Sequence, residues 1–267
     1  MNLTDFKNWL IINKDTKNTV ATYMQQLKLF FKSYSEFNQE NVNAYLLDRL
    51  DKKISKNTWN LDVNAFRCYA EFLKIEITFP KTKTPDQKLQ PYLEEKDFKE
   101  ILLKLKWILQ QEDKYRAILE VLFYAGLRVK ELKDLKREDF NFEKNTIIVR
   151  NTKGKVDRIV PFPASTSRAV QNYFLRNREM ENAFDTSIEA IRQSLSKIGK
   201  EMGYSFNLHP HTFRHSAAHY LLKITSNDYR TVQNILGHAN IKTTMLYTKI
   251  TNEEAINKVQ KIYRRKK

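Results

Sequence analysis

The chain has 267 residues, of which 41% are hydrophobic and 12% aromatic. This length and composition exclude a disordered chain and predict about two domains of roughly 100–200 residues each. The net charge of +16, with a pI near 9.7, favours a polyanionic partner such as nucleic acid, although a lysine-rich solvated surface would give the same balance.

Cysteine content and hydropathy limit the location of the protein. Cys68 is the only cysteine, so no disulfide can form within the chain and a cysteine-based zinc site is not expected. The helical apolar context of Cys68 predicts packing rather than nucleophilic chemistry. No signal peptide opens the sequence and no apolar run reaches about 18 residues. We therefore expect a soluble, cytoplasmic protein without a membrane partner.

The first 79 residues contain neither glycine nor proline, which favours helices throughout. Four stretches place apolar residues at helical spacing: DFKNWLII, TVATYMQQLKLFFKSY, NVNAYLLDRL and TWNLDVNAFRCYAEFL. Candidate helix caps precede them at Thr4, Thr16, Asn38 and Ser55. Residues 1–79 are predicted to form a compact four-helix domain.

Three of the six prolines fall in FPKTKTPDQKLQP, with lysines between them. Proline keeps such a segment extended, so residues 80–91 are predicted to be a basic linker and residues 92–267 a second domain.

The second domain opens with two helical patterns, LEEKDFKEILLKLKWIL and KYRAILEVLFYAG, the latter ending at Gly126. NTIIVRNTKGKVDRIVPF then predicts a β-hairpin around the turn TKGK. Five further helical patterns follow: STSRAVQNYFLRN, SIEAIRQSLSKIGKEMG, TFRHSAAHYLLK, YRTVQNILG and NEEAINKVQKIYRR. The chain is thus predicted to be mainly α with a small β-sheet.

All five histidines lie between His209 and His238, four of them in HPHTFRHSAAH. His211, His215 and His219 share a helical face and could bind zinc, but no Asp, Glu or Cys nearby completes a ligand set. Pro210 predicts a helix start, so His209 should precede the helix, and whether His211 does so stays open.

A site for a phosphate ester is the second interpretation of this stretch. His211 and Arg214 are three positions apart and therefore share a face near a helix start. An arginine fork can bind two phosphate oxygens, and a neighbouring histidine can transfer a proton near neutral pH.

Several short motifs, in order, resemble the tyrosine recombinase (phage integrase, Xer-like) family. They are AGLRVKEL, the turn TKGK followed by RIVP, HTFRH, LGH, and TTMLY. The resemblance covers the chain from about Tyr92 to Tyr247. Lys249 departs from the family, where many members carry a histidine after the Tyr-Thr pair.

The resemblance implies a fold and a set of catalytic residues. It implies an N-terminal four-helix core-binding (SAM-like) domain and an α+β catalytic domain. The implied catalytic residues are Arg128, Lys153, His211, Arg214, His238 and Tyr247. Tyr247 would attack a DNA phosphate to form a 3′-phosphotyrosyl bond, with the arginines on the phosphate oxygens. Lys153 would protonate the leaving oxygen, with Lys155 as the alternative.

Supporting roles follow for the neighbouring residues. The resemblance implies that His211 is the general base, that His238 binds a phosphate oxygen and that Glu131 orients the groups around it. His215 would support the site through neighbouring residues rather than by direct contact with the phosphate. Neither a metal nor another cofactor is expected.

The partners implied are double-stranded DNA with an inverted-repeat site, contacted in the linker by Lys81, Lys83 and Lys88, and further copies of the chain. The basic C-terminal helix would dock on a neighbouring protomer of a tetramer on two DNA sites, acting at the nucleoid. A type IB-like topoisomerase, a DNA-binding regulator without catalysis, and a zinc protein are the alternatives.

Overall fold

A computed structural model describes residues 3–13, 17–84, 90–150 and 157–237 of the chain. The chain divides into two compact units, Met1–Lys88 and Leu89–Lys267. The division falls within the segment 80–91. No helix among the described residues is long and apolar enough to cross a membrane.

The described part of the first unit contains four helices, which confirms the predicted number. They are α1 (Leu3–Asn13), α2 (Lys17–Phe30), α3 (Gln39–Asp51) and α4 (Lys56–Leu73). Asn38 and Ser55 cap α3 and α4 as predicted, because each side-chain oxygen accepts a backbone N–H of the first turn. The predicted cap Thr4 is wrong, since α1 already includes it, and Thr16 lies outside the described residues.

Aromatic side chains fill the centre of the first unit. Phe30 makes ring contacts with residues from several parts of the fold, among them Tyr45 of α3 and Phe66 of α4, with centroids 5.4 and 5.2 Å away. Edge-to-face aromatic pairs of this kind add to the stabilisation from burial. Cys68 is half-buried and packs against this core, in agreement with its predicted packing role.

The residues after α4 are fastened to the first unit. The Asn60 side chain makes two 2.7 Å hydrogen bonds with the backbone N–H and carbonyl of Lys83, whose ammonium lies 4.1 Å from the Trp59 ring centroid. Two more side chains hold the preceding stretch, Gln39 at both backbone groups of Thr78 and Arg67 at the Pro80 carbonyl. The first part of the predicted linker is therefore bound along the helices, while Lys81 stays exposed.

The second unit contains most of the regular structure. Its helices are α5 (Glu95–Ile108), α6 (Glu112–Glu120), α7 (Val129–Asp134), α8 (Ala164–Arg176), α9 (Ile188–Glu201), α10 (Pro210–Ile224) and α11 (Tyr229–Leu236). A π-helical turn, Val121–Ala125, continues α6, so the predicted helix does reach Gly126 but with a wider last turn. A 3₁₀ turn covers Arg137–Asp139.

The three described strands form one antiparallel sheet in the order β1 (Phe140–Asn141), β2 (Thr146–Val149) and β3 (Arg158–Pro161). The predicted pairing of two β-branched runs is confirmed, with Ile147 opposite Val160 on the buried face. The sequence did not predict β1, and the TKGK turn lies outside the described residues. The whole is mainly α with a small sheet, as predicted.

The core of the second unit brings the site elements together. Phe123 of the π turn stacks on Phe98 of α5 with centroids 4.1 Å apart, and Phe98 also meets Phe213 of α10 edge-on. These buried rings fix the π turn against α10. The π turn, which leads into the first arginine motif, is thereby packed on the helix that carries the second.

Candidate active site

The first arginine motif lies at the start of α7. Gly126 ends the π turn with φ +61°, a left-handed conformation that glycine adopts without strain, and the chain then turns into α7 with Arg128 as its N-cap. Glu131 accepts hydrogen bonds from the Arg128 backbone N–H and from its Nη1, both at 2.8 Å. The Arg128 side chain remains 46% exposed, so its guanidinium is held in place and still open to a ligand.

The histidine motif begins α10. His209 is the N-cap, and its Nδ1 accepts the backbone N–H of Thr212 at 3.3 Å; Pro210 is the first helical residue. His209 thus precedes the helix as predicted, and the open question for His211 is answered, since it lies inside the first turn with an exposed side chain.

Arg214, one turn further on, is a buried residue with 5% relative exposure. Its Nη1 donates to the carbonyl of Gly126 at 2.7 Å and its Nη2 to that of Leu236 at 2.6 Å. One guanidinium therefore joins the π turn, α10 and the end of α11. The planar fork of arginine is suited to bridging two acceptors in this way.

Both arginines reach the same short stretch of backbone. Arg128 Nη2 donates to the carbonyl of Gly237 at 3.2 Å, directly after the Leu236 carbonyl that Arg214 binds. Gly237 ends α11 in the left-handed conformation and comes just before His238 in the sequence. Residues from three distant motifs therefore meet at the C-terminal end of α11.

The histidine rings lie in a positive environment. Although His211 is exposed, its neighbours remove part of the water around it, and this desolvation is the largest cause that lowers its pKa. The charges of His209, Arg214, Arg128 and Arg192 lower the pKa further. A neutral imidazole is thus favoured at neutral pH, and such a ring can accept a proton.

His215 and His219 lie further along α10. Burial, followed by the neighbouring histidines, lowers the pKa of His215 to about 4. The His219 ring stacks on Tyr92 with centroids 3.8 Å apart, and Ser216 accepts the Leu93 backbone N–H at 2.8 Å. Among the described residues, no group of three or more His, Cys, Asp and Glu side chains could hold a metal ion.

A cavity of about 210 Å³ opens beside the start of α10. Its lining comprises Val129, Arg192, Asn207, Leu208, His209, Pro210 and His211. Because Val129 follows Arg128, the cavity lies next to the arginine motif, on the side where His211 is exposed.

Several predicted residues lie outside the described part of the chain. These are Lys153 and its alternative Lys155, His238, Tyr247, Lys88 and the C-terminal helical pattern. Of the predicted site residues that are described, Arg128, Glu131, His211 and Arg214 lie near one another. His215 lies one turn beyond His211 on α10.

Arg158, at the start of β3, was not among the predicted site residues. Its guanidinium binds both carboxylate oxygens of Glu131, at 2.8 and 3.1 Å, and the carbonyl of Ile235 at 3.0 Å. The available signal was its place in RIVP, directly after the lysine turn.

Comparisons with known proteins agree with this geometry. The model of the phage integrase family matches residues 91–254. Tyrosine recombinase XerA of Pyrococcus horikoshii is 32% identical over 97% of this chain and 94% of its own length. The chain belongs to the phage integrase family. It is a tyrosine recombinase, an enzyme of site-specific DNA recombination.

Other similar proteins support the same family assignment. Tyrosine recombinase XerC of Pediococcus pentosaceus is 29% identical, covering 97% of this chain and 95% of its own. The crystal structure of XerA recombinase is 25% identical with a TM-score of 0.56, covering 97% of both chains. XerH recombinase bound to its difH substrate shares the fold, at 19% identity and a TM-score of 0.71 over 88% of this chain and 78% of that one. The topoisomerase and regulator alternatives are not favoured.

Proposed function

We propose that this recombinase cleaves one DNA strand with Tyr247 and later rejoins it to another. The phenolic oxygen would form a bond to phosphorus while the bond from phosphorus to the 5′ oxygen breaks, leaving a 3′-phosphotyrosyl linkage and a free 5′-hydroxyl. Covalent storage of the phosphodiester lets the strand be rejoined without ATP or a metal. The observation that carries the proposal is the meeting of Arg128 and Arg214 at the backbone of Leu236 and Gly237. In the sequence, His238 follows Gly237 directly and Tyr247 comes ten residues after Gly237.

The two arginines would stabilise charge on the phosphate. Cleavage spreads negative charge over the non-bridging oxygens, and fixed cations are most effective when they need no rearrangement. The exposed Arg128 is held by Glu131, and the buried Arg214 is held by two carbonyls, so both positions are set before DNA arrives. Glu131 would act by orienting Arg128.

Proton transfer would involve His211 and a lysine. His211 would take the phenolic proton of Tyr247, a role that suits a histidine whose pKa is lowered by desolvation and neighbouring cations. Lys153 would give a proton to the departing 5′ oxygen, with Lys155 as the alternative. His238 would hydrogen-bond a phosphate oxygen, and His215 would support His211 from within α10.

The substrate would be double-stranded DNA with an inverted-repeat site. XerH and lambda integrase were solved bound to DNA, which supports DNA as the partner here. We infer that residues 1–79 and 92–267 act as core-binding and catalytic domains around the duplex, joined by 80–91. Lys81 and Lys88 would contact phosphates from the linker. Lys83, whose ammonium faces Trp59, is less available for this role than predicted.

Recombination would take place in a tetramer on two sites, at the nucleoid in the cytoplasm. The C-terminal segment NEEAINKVQKIYRRKK would dock on a neighbouring protomer, because its amphipathic pattern offers an apolar face for a partner. Light scattering of the protein with inverted-repeat duplexes would show four chains on two duplexes, and removal of the segment would leave smaller complexes.

Covalent trapping tests the catalytic proposal. The protein is incubated with nicked suicide duplexes drawn from its own genomic neighbourhood, without metal, and SDS-resistant protein–DNA adducts are measured. The Tyr247→Phe variant should give no adduct, while Tyr115→Phe, in α6 and outside the proposed site, should give the wild-type amount. An adduct that persists in Tyr247→Phe would overturn the assignment of the nucleophile.

A further inference from the structure

Arg158 is held more completely than a surface arginine. Its side chain is 13% exposed, and all three guanidinium nitrogens are engaged: Nη1 and Nη2 bind the two oxygens of Glu131, and Nε binds the Ile235 carbonyl. A bidentate arginine–carboxylate pair with a third contact fixes both the position and the plane of the guanidinium.

Glu131 is shared between two arginines. Its Oε1 accepts from Arg128 Nη1 and Arg158 Nη1, and its Oε2 accepts from the Arg128 backbone N–H and Arg158 Nη2. Burial would raise the pKa of Glu131, but the hydrogen bonds and charges of Arg158 and Arg128 lower it to about 2. One carboxylate therefore faces two guanidinium groups, and the cluster keeps one positive charge.

The end of α11 is shaped to accept Arg158. A Cβ at Gly237 would lie 3.2 Å from the Cδ, Cζ and Nε atoms of Arg158, so the missing side chain leaves room for the guanidinium across the helix end. Arg158 binds the Ile235 carbonyl here, while Arg128 binds that of Gly237. The first residue of β3 thus touches both the support of Arg128 and the helix end before His238.

We propose that Arg158 is a positioning residue of the recombinase, which holds Glu131 and the end of α11 so that Arg128 keeps the place and the charge needed to bind the scissile phosphate. With Arg158 present, Glu131 is divided between two cations, and Arg128 is not fully neutralised. Without it, the carboxylate would pair with Arg128 alone and draw its guanidinium from the phosphate. The inference rests on the proposed contact of Arg128 with phosphate.

Cleavage kinetics provide the first test. Arg158→Gln, Arg158→Lys and Arg150→Gln are compared with the wild type. Arg150 is the matched control because it directly follows β2, the partner strand of β3, and makes ion pairs elsewhere, with Glu138 and Asp139. Arg158→Gln should lower the rate of adduct formation at saturating protein by about tenfold to a hundredfold, because the Arg128 guanidinium is misplaced. The affinity for the duplex should change much less. Arg158→Lys keeps the charge but loses the fork, so it should recover only part of the rate.

The control variant decides between a positioning and a general structural role. Arg150→Gln should cleave at close to the wild-type rate, and circular dichroism should show each variant folded. If Arg158→Gln cleaves as fast as the wild type, or if both variants lose the same factor, Arg158 has no positioning role. Should Arg158→Gln not fold, Arg158→Lys carries the same test.

Salt dependence of DNA binding gives a second readout that does not need catalysis. If Glu131 neutralises Arg128 in Arg158→Gln, the slope of log affinity against log salt should fall in magnitude by about 0.9, one phosphate contact. Adding Glu131→Gln removes the competing anion and should restore the slope; a double variant with the same slope as Arg158→Gln would overturn the proposal. Covalent trapping with the wild type and Tyr247→Phe tests strand cleavage separately from these binding measurements. A failure of the proposed cleavage reaction can therefore be distinguished from a failure of the positioning role of Arg158.

Discussion

Gly126 lies where the π turn meets α10 and α11, and the substitution Gly126→Ala tests how tightly this junction is packed. A Cβ at this position would lie 2.5 Å from Leu236 Cδ2 and 2.9 Å from Ala217 Cβ. Leu236 Cδ2 is the end of a rotatable side chain, but Ala217 Cβ is fixed to the backbone of α10. The overlap with Ala217 can be relieved only by moving α10 or the π turn.

The expected loss of stability has two parts. A left-handed conformation costs a non-glycine residue about 1–2 kcal/mol. An overfilled core costs about 1–3 kcal/mol more. Gly203 isolates the first part, because its φ of +73° is similar and no atom lies within 4 Å of its would-be Cβ. Gly203→Ala should therefore cost about 1–2 kcal/mol and Gly126→Ala about 2–5 kcal/mol, both in the second unit.

Guanidinium unfolding followed by circular dichroism measures both variants in the same transition. The entropy that alanine removes from the unfolded chain is nearly equal at the two positions, so it cancels in the comparison. Cleavage should fall only in Gly126→Ala, since its displaced carbonyl is the one that Arg214 binds. Equal destabilisation of the two variants would refute the packing argument, and full cleavage by Gly126→Ala would refute the link to Arg214.

Three further predictions follow from single contacts. Arg214→Lys keeps the charge but cannot bridge two carbonyls, so the free energy of unfolding should fall by about 1–3 kcal/mol because one acceptor is left unsatisfied. An unchanged free energy of unfolding would contradict this. Because the pKa of His211 is lowered, the midpoint of the acid-side decline in cleavage rate should lie below the ordinary histidine value of about 6.5. A midpoint above that value, or the same decline in His211→Gln, would contradict the assignment of His211 as the base. Lys83→Ala should destabilise the first unit by about 0.5–2 kcal/mol, because the contact of its ammonium with the Trp59 ring is lost. Lys81→Ala should instead weaken duplex binding in a mobility-shift assay. Equal losses of affinity in the two variants would refute this difference between the two lysines.

Local patterns in the sequence predicted local structure well. Asn38 and Ser55 cap their helices because a short side-chain oxygen three residues from a backbone N–H is a property of the segment itself. The hairpin was predicted for the same reason, since β-branched alternation needs only the two runs that pair. The predictions failed where packing against distant residues determines the local structure. The π turn is an example, because it widens the end of a helix whose sequence pattern is typical of an ordinary α-helix.

The predicted linker shows a different limit. Prolines and lysines between residues 80 and 91 predict extended backbone, and extended backbone exposes N–H and carbonyl groups that need partners. The partners came from side chains of α4, Asn60 for both backbone groups of Lys83 and Arg67 for the Pro80 carbonyl. No pattern within the linker indicates that an asparagine more than twenty residues earlier will bind it.

The candidate site was predicted as a set of residues but not as a network. Motif order indicates that Arg128 and Arg214 act together, yet it does not say that one is half-exposed and the other buried. This difference in exposure follows from the groups that each guanidinium binds. Arg214 bridges two carbonyls at the ends of the π turn and α11, acceptors that would be costly to bury unpaired, so its guanidinium belongs to the core. Arg128 shares its carboxylate with Arg158 and is left facing solvent, where a phosphate can reach it. The buried arginine joins the elements of the site, and the exposed one faces solvent beside it. This division fits our proposal that both guanidinium groups stabilise one phosphate from fixed positions.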